Sequence, residues 1–284
     1  MVKLNELFQG AKARLSENGI ENDYFETKEL FCLAFGKEPV YFDMNSFADN
    51  DQQNAFESLI NRRIRGEPLQ YILGEWEFYS LTLKVGKGVL IPRQDTETLV
   101  DVAIELYKNK SGITVLDLCS GSGCIGLALE RNLGIKKLVL VENSKDAIKY
   151  LKENVELNNS KSKICMGSVL DKVVINLLPQ ADLIVSNPPY LNVEDMENLQ
   201  KEVEFEPKDA LFGGEDGLDF YRDIARLYKD KLNKGGHLIF EIGISQGEEV
   251  SQILINNGYK NVRVIKDLCD ADRVVIGVKA DEAT

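Results

Sequence analysis

The sequence predicts an α/β fold in which a mostly parallel, seven-stranded sheet follows a small all-helical N-terminal region. Three observations support this prediction. From about residue 95 onward, short apolar runs alternate with segments of helical periodicity, as in parallel strands joined by helices. A glycine-rich turn follows the first of these runs. The 284 residues, 44% of them hydrophobic, are enough for one substantial core and a smaller appended domain.

Residues 1–72 predict a helical domain. Three helices are indicated by apolar residues that recur at the spacing of one buried face: Leu4, Leu7, Phe8, Ala11 and Leu15, then Leu30, Phe31, Ala34 and Phe35, then Phe56, Leu59, Ile60 and Ile64. Gly36 ends the second helix, and Gly66 with Pro68 ends the third. Because no group of catalytic side chains is visible here, we expect this domain to dock the substrate.

Residues 73–92 predict a β-hairpin that links two domains. Leu81, Leu83 and Val85 alternate with polar residues, as one buried face of a strand does. The stretch Gly86-Lys87-Gly88 separates this strand from the apolar run Val89-Leu90-Ile91-Pro92. We therefore expect the hairpin to turn at the glycines.

The sheet itself is predicted to lie within residues 93–284. Its strands are expected at 114–118, 137–142, 163–166, 181–186, 236–241, 262–266 and 272–278. The connection between the last two is short, so these two strands should be antiparallel.

A glycine-rich turn follows the first strand, where Gly121, Gly123 and Gly126 fit the pattern G-x-G-x-x-G. Without side chains, the backbone can approach a ligand closely and the helix can pack on the strand. Glu142 ends the next strand, where a carboxylate can accept hydrogen bonds from both ribose hydroxyls of a nucleoside. Asp117 precedes the turn and suits the positive amino group of a methionine moiety. The loop therefore favours S-adenosylmethionine over NAD. The alternative interpretation of Asp117 is a charged residue at a strand end that merely faces solvent.

The tetrapeptide Asn187-Pro188-Pro189-Tyr190 follows the fourth strand, at the sheet edge where ligands of open α/β folds bind. An amide nitrogen is a poor nucleophile, because its lone pair is delocalised into the carbonyl. The Asn187 side-chain oxygen and the Pro188 carbonyl can accept both N–H groups and fix that nitrogen in line with a donor methyl. The prolines stiffen the loop, and Tyr190 offers an aromatic face to the target group or a sulfonium. The pattern predicts nitrogen methylation, with an ordinary turn as the alternative.

These motifs lie in a sequence that resembles, over nearly its whole length, the HemK/PrmC-type peptide chain release factor glutamine methyltransferases. The matching segments are 68–75, 89–97, the glycine loop, 187–190 and 211–221, of which 91–97 is much more specific than the tetrapeptide. The resemblance implies a class I, Rossmann-like methyltransferase domain behind a helical domain that helps hold the release factor. The implied reaction moves a methyl group from S-adenosylmethionine to the N5 amide nitrogen of the glutamine in the factor's Gly-Gly-Gln motif.

The resemblance also implies roles for individual residues. Those expected to bind the cofactor are Asp117, Cys119, Ser120, Gly121, Ser122, Gly123, Glu142 at the ribose, Val169 near the adenine, and Asn187. Those expected to hold the glutamine are Phe78, Asn187, Pro188, Pro189 and Tyr190, among which Asn187, Pro188 and Tyr190 carry the catalysis. For Phe78, packing inside the hairpin is an equally open alternative.

Four positions depart from the family pattern: Gln94 stands for a proline, Cys119 for a glycine, Glu142 for an aspartate and Ser168 for an acid near the adenine. None of them removes an amide-positioning group. Residues 93–97 can also simply begin a helix, because Asp95 or Thr96 would make a good cap.

Composition excludes several classes of function. A net charge of −12 disfavours general adhesion to nucleic acid, so no sequence-specific binding of it is expected. Five cysteines without a C-x-x-C pair and a single histidine argue against a disulfide framework or a metal site. No run approaches the roughly 20 apolar residues of a membrane span, which predicts a cytoplasmic protein.

Four other functions remain as alternatives. Glutamine methylation of a ribosomal protein would use nearly the same catalytic domain. Methylation of adenine or guanine amino groups would call for a basic target-recognition domain, which is not visible. A nucleoside-binding sensor would not need the tetrapeptide, and an NAD oxidoreductase does not fit Asp117.

Overall fold

The computed structural model describes residues 2–280, which divide into two compact units. The first unit comprises the chain up to Glu75 together with Gln200–Phe205. The second comprises Trp76–Leu199 and the chain from Glu206 onward. The assignment of the predicted segments 1–72, 73–92 and 93–284 to docking, linkage and catalysis remains a prediction.

The first unit contains four helices: α1 (Leu4–Glu17), α2 (Asp23–Phe35), α3 (Asn50–Ile64) and α4 (Leu69–Leu73). The five apolar residues predicted to form one face of α1 are all buried. Phe31 of α2 stacks on Phe35 with ring centroids 4.1 Å apart, and Phe56 of α3 meets Phe31 edge-on at 5.7 Å. The α2 helix ends at Gly36, whose φ of 76° is the left-handed conformation that glycine adopts without a steric cost.

The segment Gln200–Phe205 joins this unit through a buried ion-pair cluster, which the sequence pattern did not indicate. Arg63 is 4% exposed, and its Nε lies 2.5 Å from the Glu26 carboxylate. The same guanidinium also pairs with Glu202. The Lys201 ammonium donates to the Ile64 carbonyl at 3.2 Å. A buried Arg63 thus receives compensating charge both from α2 and from a distant part of the chain.

A two-stranded hairpin, β1 (Glu75–Phe78) and β2 (Leu81–Lys84), precedes the sheet. Its turn lies at Tyr79 and Ser80, whose φ angles are 49° and 59°, so the turn predicted at Gly86-Lys87-Gly88 is wrong. Positive φ at both turn residues gives the twist that suits a two-residue hairpin. The glycines serve packing instead, because a Cβ on Gly86 would lie 2.3 Å from the Tyr150 hydroxyl.

The second unit is built on a seven-stranded sheet. The strands are β3 (Ser111–Leu118), β4 (Gly134–Glu142), β5 (Lys163–Met166), β6 (Ala181–Ser186), β7 (Leu232–Glu241), β8 (Tyr259–Lys266) and β9 (Asp272–Lys279). Their order is β5-β4-β3-β6-β7-β9-β8, and β9 runs antiparallel to both of its neighbours. The predicted α/β class, all seven strands and the antiparallel closing pair are therefore confirmed.

Seven helices accompany these strands: α5 (Glu97–Tyr107), α6 (Cys124–Asn132), α7 (Lys145–Leu157), α8 (Lys172–Leu177), α9 (Val193–Glu197), α10 (Asp219–Leu227) and α11 (Gly247–Asn256). Both faces of the sheet are buried. Leu116 and Leu118 of β3 pack in one core cluster, whereas Ile113 and Val115 pack in the other. Because successive side chains point to opposite faces and both faces are covered, the central strands are apolar at nearly every position. Among the described helices, none combines the length and the apolar character that crossing a bilayer requires.

The strand order reverses between β3 and β6, which are parallel neighbours. Ligands of open α/β sheets bind at such a point, outside the carboxyl ends of the strands. The glycine-rich turn follows β3 there and the tetrapeptide follows β6, so the fold brings the two motifs together.

Candidate functional site

A cavity of about 540 Å³ lies at this switch point, within the size range of small-molecule sites. Its walls come from the hairpin's continuation, the glycine loop, the ends of β4 and β5, and the tetrapeptide. Of the residues predicted to bind cofactor or substrate, those on the wall are Cys119, Ser120, Gly121, Ser122, Glu142, Val169, Asn187 and Pro189. Among the described residues, the predicted ones that do not line it are Phe78, Asp117, Gly123, Pro188 and Tyr190.

The glycine loop is held in left-handed conformations. Gly121 and Gly123 have φ angles of 56° and 83°, and Cys119 has 60°. Such a φ is uncommon outside glycine, which is why a glycine suits position 119 better. Gly126 has another requirement: its Cβ would lie 2.4 Å from the Leu140 side chain. Burial raises the pKa of the Cys124 thiol to about 12, so that thiol stays neutral, as expected of a packing residue.

Glu142 ends β4 with a nearly buried carboxylate that already accepts three backbone hydrogen bonds. Its Oε2 accepts from the Gly121 N–H at 2.8 Å, while Oε1 accepts from Asn143 at 2.8 Å and Ser144 at 2.6 Å. A carboxylate has about four lone-pair sites, so about one is left for a ligand rather than the two that a pair of hydroxyls would use. Glu142 thus holds the loop as well as facing the cavity.

Asp117 lies beneath the glycine loop and is fully buried, so the solvent-facing alternative is wrong. Its Oδ2 accepts from the Gly126 N–H at 3.0 Å. Among the described residues, no partner reaches its buried Oδ1. Burial, reinforced by the nearby Glu142, raises the pKa of Asp117 to about 7. A free acceptor beside the loop is consistent with a ligand that brings a hydrogen-bond donor.

The tetrapeptide is fixed on the side away from the cavity. The Gln246 amide donates to the Tyr190 carbonyl at 3.0 Å. Two glycines allow a second loop to approach the same backbone: a Cβ on Gly213 would lie 2.6 Å from the Pro189 carbonyl oxygen, and one on Gly217 would lie 2.3 Å from that of Tyr190. This contact explains the glycines of segment 211–221. Burial raises the pKa of Tyr190 to about 12, so its hydroxyl stays protonated.

Asn187 and Thr96 both line the cavity, and their side chains are in contact. The Asn187 Nδ2 donates to the Thr96 hydroxyl at 3.5 Å, a long contact. The segment around Thr96 begins α5 after a short 3-10 turn (Gln94–Thr96), but neither Arg93 nor Thr96 caps it through its side chain. Asp95 instead pairs with Arg273 at 3.2 Å. Residues 93–97 therefore do begin a helix, as the alternative expects, but without the side-chain cap predicted for Asp95 or Thr96.

Sequence reasoning missed two buried carboxylates. Glu241, 1% exposed, ends β7, and the Thr96 and Asn187 side chains lie close enough to lower its pKa against the effect of burial. Glu206 accepts from the Ile91 N–H at 3.0 Å and pairs with Arg93 on the cavity wall. A signal for Glu241 was present, since it is an acid at the carboxyl end of a predicted strand, just as Asp117 and Glu142 are. Glu206 had no such signal.

Phe78 is 2% exposed and packs in the core cluster with Leu81, Leu83 and Leu99. It lies in the hairpin core rather than on the wall of the cavity, so the packing alternative fits this location. Within residues 2–280, His, Cys, Asp and Glu side chains do not gather in any group able to hold a metal ion.

Comparison with known proteins agrees with this architecture. Residues 6–74 match the family described as PrmC N-terminal domain, and residues 95–208 match the methyltransferase small domain. A release factor glutamine methyltransferase of Thermodesulfovibrio yellowstonii is 39% identical over 257 residues, covering 88% of this chain and 91% of its own. Its counterpart from Geobacter sulfurreducens is 39% identical over 277 residues, covering 96% of each chain.

Solved structures share the fold. A methyltransferase from Pyrococcus furiosus superposes with a TM-score of 0.55 at 19% identity, covering 72% of this chain and 91% of its own. The predicted class I architecture is therefore confirmed by a structural relative as well as by the strand order. With close to 40% identity along nearly the whole chain of two relatives, the protein belongs to the family of release factor glutamine methyltransferases.

Proposed function

We propose that this protein transfers a methyl group from S-adenosylmethionine to the N5 amide nitrogen of the glutamine in the Gly-Gly-Gln motif of peptide chain release factors. The product left in the cavity is S-adenosylhomocysteine. The observation that carries the proposal is the position of Asn187, which lines the cavity beside the glycine loop at the switch point of the sheet.

The cavity residues suit this cofactor. A Cβ added to Gly121 would meet no atom within 4 Å, so the loop backbone borders open space that a ligand can approach. Glu142 has about one lone pair left for a ribose hydroxyl. Asp117 is buried off the cavity wall, and its proposed contact with a positive amino group is supported only by an Oδ1 that no described residue partners. When bound, S-adenosylmethionine supplies an electrophilic methyl group on a positively charged sulfur.

The residues of the tetrapeptide act mainly by positioning. Asn187 Oδ1 and the Pro188 carbonyl accept the two N–H groups of the substrate amide and hold its nitrogen toward the methyl group. Pro188 does not line the cavity, so the part proposed for its carbonyl is supported by its place in the motif alone. Held in this way, the nitrogen would lie in line with the methyl group that bound S-adenosylmethionine would supply, and the methylated nitrogen would release one proton to solvent. A neutral amide is too weak an acid for a carboxylate to deprotonate beforehand, so no general base is assigned.

The helical domain supplies the docking of the release factor in this proposal, since the chemistry is confined to the second unit. Release factors work on ribosomes, which places the enzyme in the cytoplasm. Direct sequence-specific binding of nucleic acid is not part of the proposed function.

The test is methylation of a purified release factor with labelled S-adenosylmethionine, followed by mass spectrometry of the modified peptide. We expect one methyl group on the glutamine of Gly-Gly-Gln and none on a factor in which that glutamine is alanine. Labelling of a ribosomal protein glutamine or of a nucleic acid, with the release factor unmodified, would overturn the proposed substrate.

A further inference from the structure

Glu241 lies directly behind the residue to which we assign the substrate amide. We infer that Glu241 is a positioning residue: its carboxylate accepts an N–H of the Asn187 amide and so turns Asn187 Oδ1 toward the cavity. This inference rests on the proposed function, in which the side of Asn187 that faces the cavity binds the substrate amide.

The sheet places the two side chains together. Ser186 of β6 is the parallel partner of Phe240 of β7, so Asn187, the first residue after β6, lies level with Glu241, the last residue of β7. Residues level with each other on neighbouring strands point to the same face. The Asn187 and Thr96 side chains accordingly both lower the pKa of the Glu241 carboxyl, as donors to a carboxylate do.

An acceptor is needed at this position because an asparagine amide can rotate. Its oxygen and NH₂ group are nearly equal in size, so packing alone does not decide which of them faces the cavity. An ionised carboxylate only accepts hydrogen bonds, and therefore selects the NH₂ side of Asn187. The Thr96 oxygen accepts from Asn187 Nδ2 at 3.5 Å, and its one hydroxyl proton is then available to the Glu241 carboxylate, whose pKa Thr96 lowers. Both neighbours then favour the same orientation.

The surroundings of Glu241 make its charge sensitive to pH. The side chain is 1% exposed, and no described residue partners its Oε2. Burial raises the pKa of Glu241 to about 7, while bonds from Thr96 and Asn187 and the charge of Arg273 oppose the shift. The other titratable groups that act on Glu241, or feel its charge, are Asp95, Tyr190, Tyr221 and Cys124. Below that pKa the carboxyl becomes a donor and can bond Asn187 Oδ1, which turns the amide the wrong way.

The kinetic test compares the wild type with Glu241→Gln, Asn187→Ala and the double variant, using a release factor as substrate. Glu241→Gln should lower kcat by at least ~10-fold with KM for the factor within about twofold, because misplaced acceptors cost rate rather than docking. The wild-type kcat should fall as pH drops through about 7, and this limb should be absent in Glu241→Gln. The double variant should be no slower than Asn187→Ala, since Glu241 acts only through Asn187. Wild-type kcat in Glu241→Gln, or losses that multiply in the double variant, would overturn the inference.

Asp182→Asn is the matched control, because it removes a carboxylate at the opposite end of β6, where Asp182 Oδ2 accepts from the Thr114 N–H at 2.8 Å. Its kcat and pH profile should match the wild type.

A second measurement is independent of turnover. In protein labelled with ¹⁵N-asparagine, the side-chain NH₂ signal of Asn187, identified by its loss in Asn187→Ala, should titrate with a midpoint near pH 7. The same signal should stay constant in Glu241→Gln. A signal that ignores pH in the wild type, or titrates equally in Glu241→Gln, overturns the inference. If the wild type fails to methylate the factor, the proposed function is wrong, and this titration still decides whether Glu241 orients Asn187.

Discussion

At the scale of single residues, the hydrogen bonds that each polar group already makes determine which of its acceptors remain available to a ligand. Glu142 accepts three backbone N–H groups, Asp117 keeps one oxygen without a described partner, and the Asn187 NH₂ group makes one long contact with Thr96. What each residue still has available is then an acceptor for the ligand. A buried acceptor left unmatched is costly, so these groups favour a ligand rich in donors.

Glu142→Ala should weaken S-adenosylmethionine binding. The substitution removes the acceptor for a ribose hydroxyl and also releases the Gly121 N–H, so we expect a cost on the order of 2–4 kcal/mol. Calorimetric titration of the folded variant measures it. Glu142→Gln, which keeps one acceptor oxygen, should fall between Glu142→Ala and the wild type; an unchanged affinity in Glu142→Ala would remove Glu142 from the cofactor site.

Asn187→Ala should lower kcat by at least ~100-fold, because the substrate nitrogen loses one of its two acceptors and rotates out of line. Asn187→Asp keeps an acceptor but sets a second acid beside Glu241, so it should bind cofactor while misplacing the amide. Single-turnover methylation of a release factor by both variants is the measurement. Near-wild-type rates in Asn187→Ala would show that the tetrapeptide does not carry the chemistry assigned to it.

At the scale of elements, loops that touch the tetrapeptide backbone decide how rigid it is. Segment 211–213 pairs with Leu191, and glycines make this approach possible. The function of these glycines is therefore steric, and it acts on the active site from outside the cavity.

Gly213→Ala should impair turnover without affecting cofactor binding. Its Cβ would lie 2.6 Å from the Pro189 carbonyl oxygen and 2.8 Å from the Tyr190 Cα, so backbone must shift. A shift approaching 1 Å can cost about 100-fold in rate, and we expect kcat to fall by ~10- to 100-fold. Steady-state kinetics and calorimetry measure the two effects. Gly10→Ala in α1, whose Cβ would meet nothing within 4 Å, is the control; equal kcat in both variants would mean that the loop does not support the tetrapeptide.

At the scale of the whole molecule, two buried acids should set how stability depends on pH. The folded-state pKa values of Asp117 and Glu241 are each raised to about 7 by burial, above the ordinary 3.8 and 4.5. The folded protein therefore holds protons that the unfolded chain has already lost. Stability is fully present below the unfolded values and is lost as pH rises through about 7.

The free energy of unfolding of the ligand-free protein should thus fall by about 1–2 kcal/mol between pH 6.5 and 8.5. His237, whose pKa burial lowers to about 4, is neutral in the folded state throughout this window, whereas an unfolded histidine is half protonated at pH 6.5, so His237 offsets about 0.4 kcal/mol of the fall. Urea unfolding at both pH values gives the difference. Glu241→Gln should remove about half of the slope, and a slope unchanged in that variant would show that Glu241 does not titrate there.

Local sequence patterns were enough to predict much of the secondary structure and part of the site. The apolar spacing located the first three helices and all seven strands, because the periods of 3.6 and 2 follow from backbone geometry. Motif position also placed most of the predicted site residues on the cavity wall, since the carboxyl ends of parallel strands meet at one edge.

Tertiary structure decided the rest, because it depends on contacts between residues far apart in sequence. The hairpin turns at Tyr79 and Ser80, and Gly86 and Gly88 after it make room for α7. Neither feature could be predicted from the local sequence pattern. Gln200–Phe205 packs with the helical unit because Arg63, buried there, needs a second carboxylate. Glu241 lies near Asn187 only because β7 lies beside β6 in the sheet. The acid is visible in the sequence, but its proximity to Asn187 follows from the order of the strands.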